Sequence, residues 1–135
     1  MADIVFKSEE KERLEREFWF EIDRRLFAML LGLGAYMMKK WGIPLFIVCL
    51  IRTVEENAAV GGKENSAHLP HRKAGVDLRT WGILDPEKIA AIKKYLLDTW
   101  GPDFLCVVTL DHGTGPHIHI NINFKYFRKE AIPDA

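Results

Sequence analysis

The chain has 135 residues, 48% of them hydrophobic, enough to bury one core of ordinary size, and it is read as a single domain over residues 1–135. Lys and Arg number 19, as do Asp and Glu, so the net charge is zero and the basic surface of a general nucleic-acid binder is excluded. The longest apolar run, LFAMLLGLGAYMM at 26–38, has 13 residues and is too short to span a membrane as a helix.

The opening stretch, MADIVFKSEEKERLEREF, is strongly charged and has no signal-peptide pattern, so synthesis in the cytoplasm is expected. An N-terminal helical region is placed at 8–41. Ser8 is its expected N-cap, and Glu9 and Glu10 suit the positive end of the first turn. Phe18, Ile22, Phe27, Leu30, Leu31 and Leu33 supply an apolar face, with Gly32 and Gly34 as places for a bend. Lys39 and Lys40 suit the C-terminal end, and the WGIP that follows stops the helix.

Next comes LFIVCLIRT, residues 45–53, apolar and β-branched, which predicts a buried strand. Residues 54–66 read as a loop with a Gly-Gly turn, and AGVDLRT as a short strand. A second helix starts at Asp85 (N-cap) and Pro86 (first helical position), runs through Ile89, Ile92, Leu96 and Trp100, and ends at Gly101-Pro102. FLCVVTL, residues 104–110, predicts another buried strand, DHGTG a turn, and PHIHININF a strand of regular alternation. The order is α+β: a small, mostly antiparallel sheet packed by helices, preceded by a long N-terminal helix. Cys49 and Cys106 sit in apolar runs and are expected to be buried thiols in core strands, away from the histidines.

All five histidines fall in two short stretches, SAHLPHRKAGVD (66–77) and HGTGPHIHI (112–120). In the second, alternation puts His117, His119, Asn121 and Asn123 on one strand face and Ile118, Ile120, Ile122 and Phe124 on the other. Two imidazoles on one rigid face can both lie beside a single metal ion. The first stretch adds His68, His71 and Asp77. A His, Asp, His set with no nearby thiolate is the donor pattern of an open, water-bearing zinc site. Such a site needs a base for the water and a donor for the developing oxyanion, roles available to Asp111 and His117; His112, on a turn, reads as exposed.

Taken together, IRTVEENAAVGGKENSAH, AGVDLR and HIH resemble the D-alanyl-D-alanine metallopeptidases, their phage-encoded relatives and the hedgehog signalling domain. The matching order is Arg52-Thr53, Asn57, Gly61-Gly62, Ser66-x-His68, Asp77 and His119, over about residues 44–124. The resemblance implies a hedgehog-like fold and a zinc peptidase, phage or prophage related, acting on peptidoglycan stem peptides. Zinc would be held by His68, Asp77 and His119. His117 would assist catalysis, and Arg52, with Ser66, would face the substrate. The chain departs from the family in two places. The interval from His68 to Asp77 is longer by two residues, with His71 inside it as a competing ligand. The acid expected just before the final His is also missing, so Asp111 is the nearest one. The alternatives are a non-catalytic metal-binding phage structural or peptide-binding module, and a metal-free α+β domain with incidental histidines.

Overall fold

The computed structural model describes residues 3–61, 66–70, 72–112 and 115–126, the side chains of Asp111, His112, Gly115 and Phe124 excepted. Its elements in chain order are β1 (Ile4–Phe6), α1 (Lys11–Arg16), α2 (Arg24–Trp41), β2 (Leu45–Cys49), α3 (Val54–Ala59), β3 (Gly75–Arg79), α4 (Pro86–Trp100), β4 (Leu105–His112) and β5 (Gly115–Ile122). The fold is α+β, with one five-stranded mixed sheet in the order β1-β2-β3-β5-β4. β1 runs parallel to β2, and every other neighbour pair is antiparallel.

The N-terminal helical region differs from the single long helix, with a bend at Gly32 or Gly34, that the sequence predicts. A 3₁₀ turn over Ser8–Glu10 precedes α1, and Ser8 makes no cap hydrogen bond; its hydroxyl donates to Glu9 Oε2 instead. After α1 the chain widens into a π turn, with Ile22 N–H reaching Glu17 O. The break falls at Ile22–Asp23, not at the glycines. Ile22 turns extended (ψ 159°), which buries its side chain, and Asp23 then caps α2 by accepting from Arg25 N–H. Gly34 serves packing rather than bending: a Cβ there would lie 3.3 Å from Asp3 O and 3.2 Å from Ile4 Cγ1, so its bareness lets β1 cross close to α2. Gly42, in the left-handed region (φ +66°), ends α2 where the WGIP stretch predicts a stop.

Two corrections concern the middle of the chain. The 45–53 strand ends at Cys49, and the 54–66 loop contains α3. α3 begins with a full capping box: Thr53 Oγ1 accepts from Glu56 N–H while Glu56 Oε1 accepts from Thr53 N–H. Asp85 and Pro86 start α4 as expected, with Asp85 Oδ1 accepting from Lys88 N–H.

The core joins Leu26, Met29, Leu30, Leu33 and Met37 of α2 and Ile92 and Leu96 of α4 to the sheet residues Leu45, Ile47, Val76, Leu78, Val107, Ile118, Ile120 and Ile122. α2 and α4 thus cover one sheet face, and strand alternation sends Asp77, His117 and His119 to the other. Among the described residues no helix is long and apolar enough to cross a membrane.

Candidate metal centre

The antiparallel register of β3 and β5 puts Asp77 opposite His119 and Arg79 opposite His117. Directly opposed residues share a face, with Cβ atoms about 4.5–5.5 Å apart. The third member, His68, comes from the turn over residues 66–70, which lies against the start of β3. Three backbone-level contacts fix this turn: Ser66 Oγ accepts from His68 N–H (3.2 Å), His68 O accepts from Arg52 N–H (2.8 Å), and Ala67 O accepts from Ala74 N–H (2.9 Å). Gly75 permits the approach, because a Cβ there would lie 3.0 Å from Ala67 Cβ and 3.5 Å from His68 Cε1.

Three donor atoms converge. His68 Nε2 is 3.2 Å from Asp77 Oδ1, His119 Nδ1 is 2.9 Å from the same oxygen, and the two nitrogens are 3.3 Å apart. Ligand atoms bound at about 2.0–2.1 Å in a tetrahedron are separated by about 3.3 Å, close to the three separations seen here. The remaining ring nitrogens are held by acceptors. His68 Nδ1 donates to Leu50 O at 2.7 Å, and His119 Nε2 donates to Asn121 Oδ1 at 2.9 Å. Acceptors on the far nitrogens fix the tautomers and leave His68 Nε2 and His119 Nδ1 as the atoms that can take a metal. The donor set can therefore hold a metal ion.

Arg52 closes the other side of Asp77. Its Nη2 donates to Asp77 Oδ2 at 3.2 Å and its Nη1 to Asn57 Oδ1 at 3.1 Å. His117, buried on the same face, has Nε2 3.9 Å from Asp77 Oδ2. Without metal, protons hold the donors together. Burial opposes a charged His68, but the hydrogen bond to Asp77, with help from Cys49 and the Asp77 charge, raises its pKa to about 10. Burial likewise opposes the Asp77 carboxylate, and hydrogen bonds from His119 and His68 hold its pKa well below the usual carboxylate range.

The expectation that both cysteines lie away from the histidines is corrected. A bulge between Ile47 and Cys49 shifts the β2 register, so Cys49 stands opposite Asp77 instead of joining Leu45 and Ile47 in the core. Cys49 is half-buried and its Sγ is 3.8 Å from His68 Nδ1. Cys49, His68 and Asp77 form a candidate metal-binding triad, with ligand atoms within 4.8 Å of one another. The His68–Asp77–His119 set is the tighter of the two, and Leu50 already occupies the His68 nitrogen that faces Cys49. Cys106 is also half-buried, opposite Asn121 on β5.

Of the other sequence-predicted site residues, Ser66 acts on the turn that carries His68. Asp111 is paired with Pro116 across the hairpin, and its side chain and that of His112 lie outside the described residues, as does all of His71. Leu50, Asn121 and Cys49 were not predicted to act at the site. For Asn121 a signal existed, since the His-x-His-x-Asn alternation puts it on the ligand face. A cleft of about 220 Å³ opens beside the centre, with Asp77, His117, Arg52, Val48, Cys49 and Lys7 in its walls. Compared with protein-family models, with curated proteins and with solved structures, the chain gives no match.

Proposed function

We propose that the chain is a zinc-dependent peptidase, related to the D-alanyl-D-alanine metallopeptidases and of phage or prophage origin, that hydrolyses a peptide bond in peptidoglycan stem peptides. The observation that carries this reading is the triangle of His68 Nε2, Asp77 Oδ1 and His119 Nδ1, with sides of 2.9–3.3 Å, beside an open cleft. His68, Asp77 and His119 would hold the zinc, which would supply a Lewis acid able to make water acidic near pH 7. The chain's own residues do the rest. Leu50 O and Asn121 Oδ1 orient the imidazoles. Arg52 holds Asp77 in place through Oδ2. His117, on the same face, donates a hydrogen bond to the substrate carbonyl oxygen as negative charge develops on it. Asp111 is the proposed base that takes the proton of the attacking water.

The test is metal content followed by turnover. Purified chain should bind one zinc ion and cleave a stem peptide, and His117→Ala should keep the metal while slowing turnover by about 10²–10³. A zinc-loaded chain that binds stem peptides without ever cutting them removes the peptidase reading.

One observation favours a second reading, a non-catalytic metal-binding module: Cys49 Sγ stands close to His68 and Asp77. A thiolate in the fourth position would close the site in the manner of structural zinc. Cobalt substitution separates the two. A thiolate-to-cobalt charge-transfer band that vanishes in Cys49→Ala marks the closed site, and its absence the open one.

A further inference from the structure

The sheet face that carries the metal centre continues one step along β3 to Arg79. Arg13 and Arg16 pair with glutamates and Arg25 with Asp23, and Arg52 is committed to Asp77 and Asn57. Arg79 has no carboxylate partner among the described residues. Its guanidinium carbon lies 3.4 Å from the centroid of the Trp81 ring and 5.2 Å from that of Phe46, and its Nε donates to Trp81 O at 3.1 Å. Stacking and the Nε bond fix the plane of the guanidinium while leaving the two Nη groups, the forked edge that matches a carboxylate, without an acceptor among the described residues. Trp81 itself is 53% exposed, so the platform opens to solvent. The Gly82 turn (φ +72°) passes close beneath: a Cβ there would stand 3.5 Å from Arg79 Nη2.

Position matters as much as chemistry. Arg79 is two residues from Asp77 on the same strand face and directly opposite His117. Alternate strand positions are separated by about 7 Å, the reach of an extended peptide over one or two residues. Arg52 already spends both Nη groups inside the protein.

We propose that Arg79, stacked on Trp81, is the anion subsite of this centre and binds a carboxylate one or two residues from the peptide bond presented to Asp77 and His119. The inference rests on the peptidase reading and deepens it, moving substrate-carboxylate recognition from Arg52 to Arg79. That carboxylate can be the peptide's own C-terminus or an acidic side chain.

Calorimetry on the full, zinc-loaded chain tests it with three probes: an acetylated dipeptide with a free C-terminus, its C-terminal amide, and the amide with glutamate as last residue. Arg79→Gln should weaken binding of the free acid, the glutamyl amide or both by about tenfold to a hundredfold and leave the plain amide unchanged. Which probe responds identifies the carboxylate source. Arg79→Lys should recover part of the loss, because it keeps the charge without the fork. Equal losses for all three probes, or none, overturn the proposal, provided zinc content and melting temperature match the parent. Should the chain take up no zinc, the reading of the centre fails by itself. The same titrations on the metal-free chain then decide the subsite, and no carboxylate-dependent binding there overturns it.

Discussion

Replacing Asp77 by Asn tests the centre most directly, because one carboxylate holds His68, His119 and Arg52 together. In the metal-free chain His68 is almost fully buried and its pKa is raised from 6.5 to about 10. A raised folded-state pKa contributes stability that is fully present below the unfolded value and is lost as pH rises through the folded value. Integrated to pH 7, that shift corresponds to an order of 4 kcal/mol. Removing one partner from a buried ion pair costs about 3–5 kcal/mol, which agrees. Asp77, with its pKa lowered, contributes above the unfolded value of 3.8 and loses that contribution as pH falls through its folded value. The two ranges overlap between about pH 4 and 6.5, where the difference between parent and variant is greatest. For a chain of this length the penalty should lower Tm by roughly 10–15 °C at about pH 6. By about pH 10 the His68 contribution has fallen below about 1 kcal/mol, and the gap should narrow accordingly. Thermal melts followed by circular dichroism in the presence of a chelator measure both points. A gap under about 2 °C at pH 6, or one unchanged at pH 10, would refute the coupling of Asp77 to a charged His68.

Zinc uptake should be pH-dependent, because the metal must displace the His68 proton. Below about pH 10 the logarithm of the association constant should rise by about one per pH unit, seen as one proton released in calorimetry across buffers of different ionisation enthalpy. Exchanging the histidines of the first stretch separates the two candidate ligands. His68→Ala should abolish stoichiometric zinc while His71→Ala keeps it, and atomic absorption giving the reverse order would assign the site to His71. Gly75→Val should force the Ala67–His68 turn off β3, because even a Cβ there meets Ala67 Cβ at 3.0 Å. A stability loss of about 1–3 kcal/mol with weakened zinc binding is expected in chemical denaturation and metal titration, and an unaltered zinc affinity would show that the turn need not touch β3.

Much of the site could be read from residue order because strand alternation is a local property. In PHIHININF the isoleucines alternate with His117, His119 and Asn121, so burying the isoleucines puts both imidazoles and the amide on one face whatever the sheet's neighbours are. The caps at Asp85 and Thr53 are local too, the second written in the Thr53-x-x-Glu56 spacing just ahead of the glycine-rich stretch. Other features arise between segments distant in the chain. The helix breaks at Ile22–Asp23 because Ile22 is buried there and Asp23 N–H finds Lys73 O across the fold. Cys49 reaches the metal face only because a bulge shifts β2 against β3. His68 meets Asp77 and His119 only because bare Gly75 lets its turn lie on β3. Residue types and alternation thus determined which groups face the same way, while their separation of about 3 Å was decided by packing and strand register, which depend on contacts that no short stretch of sequence contains.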